Sequence, residues 1–276
     1  MNSKEKLICP VCRSILYRDE KSYFCSGERK HCFDISSSGH TNLCPGKATG
    51  GDDKRAVRSR TDFLSLDYYK PISDKICEIL GIMSVENLIV DAGCGEGYYT
   101  NNIAQETGAW VYGFDLSKEA IISASKSAKR KGIRNSLFFV GGIYDLPVAD
   151  GAADALTNIF APCAEPEFIR VLRPGGRLIV ATAGKNHLLG LKRAVYDTVY
   201  TNEERKDMPR DMIFEGKHTV SYTISLNDAD SIRNLFSMTP YSYRTSEKDM
   251  QKLLALTSLE TEVEVDIFVY RKRECQ

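Results

Sequence analysis

The chain has 276 residues, 42% of them hydrophobic, with 37 Lys and Arg against 37 Asp and Glu. That length and apolar share supply the core of one or two ordinary domains. No 18-residue apolar run offers a membrane span and no N-terminal pattern offers a secretory signal, so a cytoplasmic chain with no membrane partner is expected. The zero net charge hides an asymmetry. Residues 1–60 carry a net +5 and the remainder −5, so a basic N-terminal module sits on an acidic body and points to a polyanionic partner.

Five of the nine cysteines fall in the first 44 residues. In a cytosolic chain such a cluster reads as metal ligands rather than disulfides. Cys9-Pro-Val-Cys12 puts two thiols on one tight turn, and Cys25 follows after Tyr17, Tyr23 and Phe24, which supply a small apolar body. The pattern predicts a zinc ribbon over residues 1–45, two hairpins around a tetrahedral Zn²⁺. A module this small draws most of its folding energy from the ion. The fourth ligand stands open between adjacent His31 and Cys32; His40 and Cys44 read as non-ligands. Residues 46–61 carry glycine and charge without an apolar period, which predicts a flexible basic linker whose Lys54, Arg55, Arg58 and Arg60 can meet phosphates.

A second body is expected over residues 62–276. Phe63, Leu64 and Leu66 start a helical pattern that Tyr68-Tyr69-Lys70-Pro71 interrupts. Ile72, Ile76, Ile79 and Leu80 resume it until Gly81. Leu88–Val90 reads as a buried strand running into Asp91-Ala-Gly93-Cys-Gly95-Glu96-Gly97, where the glycines let a ligand approach the backbone. Tyr98–Thr107 follows as a helix. The next strand, Trp110–Asp115, ends on an acid about twenty residues past the glycines, placed to accept from ribose hydroxyls. An acid at the start of the glycine run resembles the first motif of class I S-adenosylmethionine (SAM) methyltransferases. There the Asp91 carboxylate suits the cationic end of SAM.

Ser117 caps a helix through Arg130, and Leu137–Val140 is the third strand of the body. In the resembling class the backbone at Gly142–Tyr144 would flank an adenine. Ala153–Ile159 is the fourth strand, and Asn158, Phe160 and Pro162 lie at its carboxyl end, where an open parallel sheet places its chemistry. A helix over residues 166–172, the turn Arg173-Pro-Gly-Gly176, a strand Arg177–Ala181 and a helix Leu188–Tyr200 follow. Residues 201–220 are polar and charged, a candidate lid or substrate arm. Beyond it come a short strand Ser221–Ser225, helices over 228–238 and 248–256, and an alternating strand through Val263, Val265, Ile267 and Val269.

The order of these parts resembles the RlmA family of 23S rRNA guanine-N1 methyltransferases. Cys9-Pro-Val-Cys12 with Cys25, Phe33-Asp34, Tyr69-Lys-Pro71, Asp91–Thr100, Ala161-Pro-Cys163, Gly184-Lys-Asn-His-Leu188 and Met238-Thr-Pro-Tyr241 carry the likeness. The resemblance implies an α/β fold, a Rossmann-like, mostly parallel seven-stranded sheet with an N-terminal zinc ribbon. It implies SAM and Zn²⁺ as cofactors and a 23S rRNA hairpin as partner. It carries zinc ligation to Cys9, Cys12, Cys25 and His31; the gap before His31 is longer than the family's, which keeps Cys32 as the alternative. It places SAM against Tyr69, Asp91, Gly93, Gly95, Glu96, Gly97, Asp115 and His187. Asn158 and His187 are the candidate catalytic residues. One branch of the family is linked to macrolide resistance, and some members are homodimers.

Overall fold

The computed structural model describes residues 6–46, 51–203, 209 and 211–274. Strands β1 (Leu16–Arg18), β2 (Ser22–Cys25) and β3 (Cys32–Asp34) form a three-stranded antiparallel sheet. The next strand, β4 (Thr41–Asn42), leaves that sheet and joins the large one. Helices α1 (Lys54–Leu64) and α2 (Lys70–Leu80) lead into a regular alternation. It runs β5 (Leu88–Ala92), α3 (Tyr98–Thr107), β6 (Trp110–Asp115), α4 (Lys118–Lys131) and β7 (Ser136–Val140). Then come β8 (Ala153–Ile159), α5 (Glu165–Val171), β9 (Leu172–Ala183) and α6 (Leu189–Val195). The last part is β10 (Met212–Leu226), α7 (Ala229–Ser237), α8 (Glu247–Leu254) and β11 (Leu259–Lys272). Among the described residues no helix is long and apolar enough to cross a membrane.

The large sheet has the order β10-β11-β9-β8-β5-β6-β7-β4. Its strands are parallel except β11, which runs antiparallel to both β9 and β10. The order reverses between β5 and β8, so a cleft opens at the carboxyl ends of those two strands. The helix ends follow the sequence. Asp53 and Ser117 accept from the amides of Ala56 and Ala120, and Gly108 and Gly132 close α3 and α4 in left-handed conformation.

The body supplies the expected seven strands, β5–β11, and β4 of the N-terminal segment adds an eighth by pairing in parallel with β7. Two expectations need correction. The expected linker over 46–61 is helical from Lys54, since Asp53 caps α1 and Val57, Phe63 and Leu64 give it a buried face; its residues 47–50 lie outside the described set. The expected lid over 201–220 is strand from Met212 onward, and residues 204–208 and 210 of it lie outside the described set. The polar sequence of β10 reflects its place at the sheet edge, paired only with β11.

The zinc-ribbon segment shares a core with the body. Leu7, Leu16, Tyr23 and Leu43 are buried in one cluster with Tyr112, Phe139, Leu146 and Val148. Ile8 donates to the Pro147 carbonyl, Ala149 to Lys6, and Leu43 to Val140, at 3.0, 2.9 and 2.9 Å. Arg13 Nη1 meets Asp145 Oδ1 at 2.7 Å. A ribbon too small to bury its own apolar residues thus finds its core on the sheet edge.

Candidate active site and metal centre

At the N-terminus, Cys9, Cys12, Cys25 and His31 bring one ligand atom each to within 4.8 Å of one another. His31 Nδ1 lies 3.5 Å from the sulfurs of both Cys9 and Cys25, and the sulfurs of Cys12 and Cys25 are 3.8 Å apart. Bonds of about 2.3 Å to sulfur and about 2.0 Å to nitrogen put the corners of a zinc tetrahedron about 3.8 Å apart for sulfur pairs and about 3.5 Å for sulfur and nitrogen. The donor set therefore fits Zn²⁺ in size and chemistry. Backbone amides of Val11 and His31 donate to the sulfurs of Cys9 and Cys25, which favours thiolates. The Ser14 hydroxyl and amide pull the Cys12 thiol down to about 6, whereas burial pushes Cys9 up. Cys32 is exposed and turns to Asp34, and His40 bonds Ser36 and Ser38, so neither joins the cluster.

The second site sits at the carboxyl ends of β5, β6 and β8. Asp91 is 2% exposed, and both of its oxygens are taken, by the hydroxyls of Thr100 at 2.5 Å and Thr157 at 2.8 Å. Burial pushes its carboxyl up to about 6 against those two hydrogen bonds. Asp91 therefore ties β5 to α3 and β8 beneath the loop. The glycines above it divide by role. A Cβ on Gly93 would meet Ala161 at 2.6 Å, and one on Gly97 would meet Ala124 at 2.7 Å, with φ at +85° and +80°. These two serve the turn and its packing. Gly95 has only the tip of Arg60 within reach, at 3.7 Å, and is the glycine that leaves its backbone open to a ligand.

Asp115 accepts from the amides of Gly95 at 3.0 Å and Ser117 at 2.8 Å, which fixes its carboxylate at the loop, while burial raises its pKa. Glu96 is 7% exposed, and its Oε2 has no hydrogen-bond partner among the described residues. Burial pushes it up to about 7, with Arg60 pulling the other way. An open glycine backbone, a fixed acid at the next strand end and a buried carboxylate with one oxygen free of hydrogen bonds among the described residues fit a cofactor with ribose hydroxyls and cationic groups. SAM carries both.

Across the cleft, the Tyr69 hydroxyl lies 3.3 Å from His187 Nε2, and His187 Nδ1 accepts from the Glu264 amide at 3.2 Å. Burial lowers the His187 pKa to about 4. The ring is thus neutral, and an occupied Nδ1 leaves the proton on Nε2. His187 in this tautomer offers a hydrogen-bond donor at Nε2. Asn158 Nδ2 donates to the carbonyls of Ala92 and Pro162, both at 3.0 Å, which ties the exits of β5 and β8 and leaves Oδ1 without a hydrogen-bond partner among the described residues. Phe160 sits next to this exit with φ at +51° and 42% exposure. Its ring stacks on His187 at 5.9 Å and lies 6.3 Å from Tyr69. Tyr98 and Tyr99 pack instead against the core. The sequence reading missed Arg60 as a site residue; nothing in a charged, linker-like stretch marks which arginine turns inward.

The fold and the two sites define a class I SAM-dependent methyltransferase with a zinc ribbon docked on its sheet edge. Residues 85–235 match the family described as "Methyltransferase domain", and residues 7–49 match "RlmA, N-terminal". The 23S rRNA (guanine(748)-N(1))-methyltransferase of Streptomyces fradiae is 27% identical, over 90% of each chain. A Micromonospora griseorubida protein, provisionally named a 23S rRNA (guanine-N(1)-)-methyltransferase, is 31% identical over 67% of this chain and 68% of its own. Haemonchus contortus phosphoethanolamine N-methyltransferase 2, solved with SAM, shares the fold at a TM-score of 0.50 and 14% identity, over 80% of this chain and 58% of that one. The chain belongs to the RlmA family of 23S rRNA (guanine-N1)-methyltransferases.

Proposed function

We propose that this protein transfers a methyl group from SAM to N1 of a guanine in a hairpin loop of 23S rRNA, in the cytoplasm. The observation that carries the reading is the ribbon docked beside the cofactor site, in a chain similar to rRNA guanine-N1 methyltransferases over both parts. Guanine N1 lies on the Watson–Crick edge, so the base must be unpaired or turned out of its helix to react. The basic ribbon and the exposed Lys54, Arg55 and Arg58 of α1 supply phosphate contacts that the acidic body lacks.

Bound SAM supplies a methyl group already activated on a sulfonium. Transfer of that methyl group to N1 would leave S-adenosylhomocysteine and release the N1 proton to solvent. The protein positions the two partners. Asp115 and Glu96 hold the hydroxyl and cationic groups of the cofactor, with Gly95 open beneath them. The exposed face of Phe160 stacks on the guanine. Asn158 shapes the strand exit beside the base, and His187 Nε2–H, which meets the Tyr69 hydroxyl, is the candidate donor toward O6, where charge grows as N1 loses its proton.

The test uses 23S rRNA from a strain lacking the gene, purified protein and labelled SAM, with primer extension to map the product. One new stop in a hairpin loop supports the reading. Bound SAM without label in rRNA would remove it. Comparing that strain with its parent on tylosin tests the link to macrolide resistance.

A further inference from the structure

Helix α1 carries one of its arginines into the cofactor site. The Arg60 guanidinium pairs with Asp52, and its Nε lies 3.9 Å from Glu96 Oε2. Its side chain is 25% exposed, whereas Arg58, two residues earlier, is 83% exposed. The segment is fastened to the same place, since the Ser117 hydroxyl donates to the Asp52 carbonyl at 2.6 Å. Asp115 also lies within the field of Arg60. One guanidinium thus sits among three carboxylates at the open glycine of the loop, Gly95.

We propose that Arg60 is a positioning residue of the cofactor site: it keeps the Glu96 carboxylate charged and turned to the bound cofactor, so the helix joining the ribbon to the body forms part of the pocket. This rests on the reading of the glycine loop as the SAM site. A buried carboxylate with an unpartnered oxygen favours its neutral form unless a cation stands near it. Glu96 faces Arg60 from α1, Asp115 from the end of β6, Cys94 in its own loop and Tyr99 from α3. Of these only Arg60 is a cation. Without it, Glu96 takes up a proton at higher pH. The acid then loses the charge that complements SAM and becomes a donor where an acceptor is needed.

The experiment is SAM binding by calorimetry between about pH 6 and pH 9 for wild type, Arg60→Gln, Arg60→Lys, Arg60→Gln/Glu96→Gln and Asp115→Asn. Wild type weakens as pH falls through about 7. In Arg60→Gln that midpoint moves up, so binding near pH 7 is roughly tenfold weaker for each unit of displacement and recovers at the alkaline end. Arg60→Lys stays close to wild type, and the double variant loses the pH dependence. An Arg60→Gln profile with the wild-type midpoint, or a loss equal at every pH, would overturn the proposal and leave Arg60 as a simple anchor for α1. Unchanged binding in Asp115→Asn would instead overturn the assignment of the site, and the proposal with it.

Discussion

Removing zinc should loosen more than the ribbon. Zinc held by the four ligands would couple to folding of the ribbon, and a chelator at neutral pH takes that contribution away. The ribbon in turn covers the β7 edge. Ala149 donates to Lys6, Ile8 to Pro147 and Leu43 to Val140, while Leu7 and Leu43 are each 1% exposed in the shared core. A backbone hydrogen bond contributes about 1 kcal/mol and a buried leucine about 2 kcal/mol. The Ala149 amide, which has Lys6 as its partner and Leu7 beside it, therefore loses about 3 kcal/mol of protection. That is roughly a hundredfold faster hydrogen exchange. The assay is exchange by mass spectrometry on the full chain, with and without chelator, reading the peptide that spans residues 142–150. Release of zinc with unchanged exchange in that peptide would refute the coupling and show that the docked strands hold without the ion.

Three further outcomes follow from the site. Gly95→Ala, at φ +54°, should cost about 1 kcal/mol of backbone strain and lose SAM binding, whereas Gly97→Ala should cost about 2 kcal/mol more than that in urea unfolding because its Cβ also meets Ala124 at 2.7 Å; the reverse pattern would overturn the division of roles. Phe160→Ala should lower kcat/KM for rRNA by about 5- to 150-fold, the worth of one stacked base, with SAM affinity unchanged; a parallel loss of SAM affinity would place the ring on the cofactor instead. His187 has a folded pKa of about 4, depressed by burial from the ordinary 6.5. Its contribution is present above pH 6.5 and is lost as pH falls toward 4, an order of 3 kcal/mol. The stability difference between wild type and His187→Asn, followed by urea unfolding, should therefore shrink across that window; a constant difference would mean that the ring is protonated in the fold.

The glycine loop, the Asp115 strand end and the ligand trio Cys9, Cys12 and Cys25 were legible because each rests on local spacing. A strand that ends in glycines, or two thiols three residues apart, needs no distant partner to be recognised. The choice between His31 and Cys32 depended on which of two adjacent side chains turns inward; here β3 leaves Cys32 exposed and His31 beside the three sulfurs. Strand β4 was not legible, since two residues make no periodic pattern and its pairing with β7 is entirely tertiary. Helix α1 did carry a signal, an Asp53 cap ahead of Val57, Phe63 and Leu64, but the surrounding charge masked it. Strand β10 alternates weakly because much of it faces solvent at the sheet edge. His187 carried no mark of its protonation state, which the Glu264 amide on β11 decides from far along the chain.

The order of synthesis gives β4 a particular burden. The ribbon leaves the ribosome first, but its docking edge, β7, begins only at Ser136. At about 5–20 residues per second, the stretch between Asn42 and β7 takes about 5–20 s to make. Through that interval the nascent ribbon exposes Leu7, Leu16 and Leu43 with no sheet to receive them. Zinc captured early by Cys9, Cys12, Cys25 and His31 would hold the hairpins together until β7 arrives.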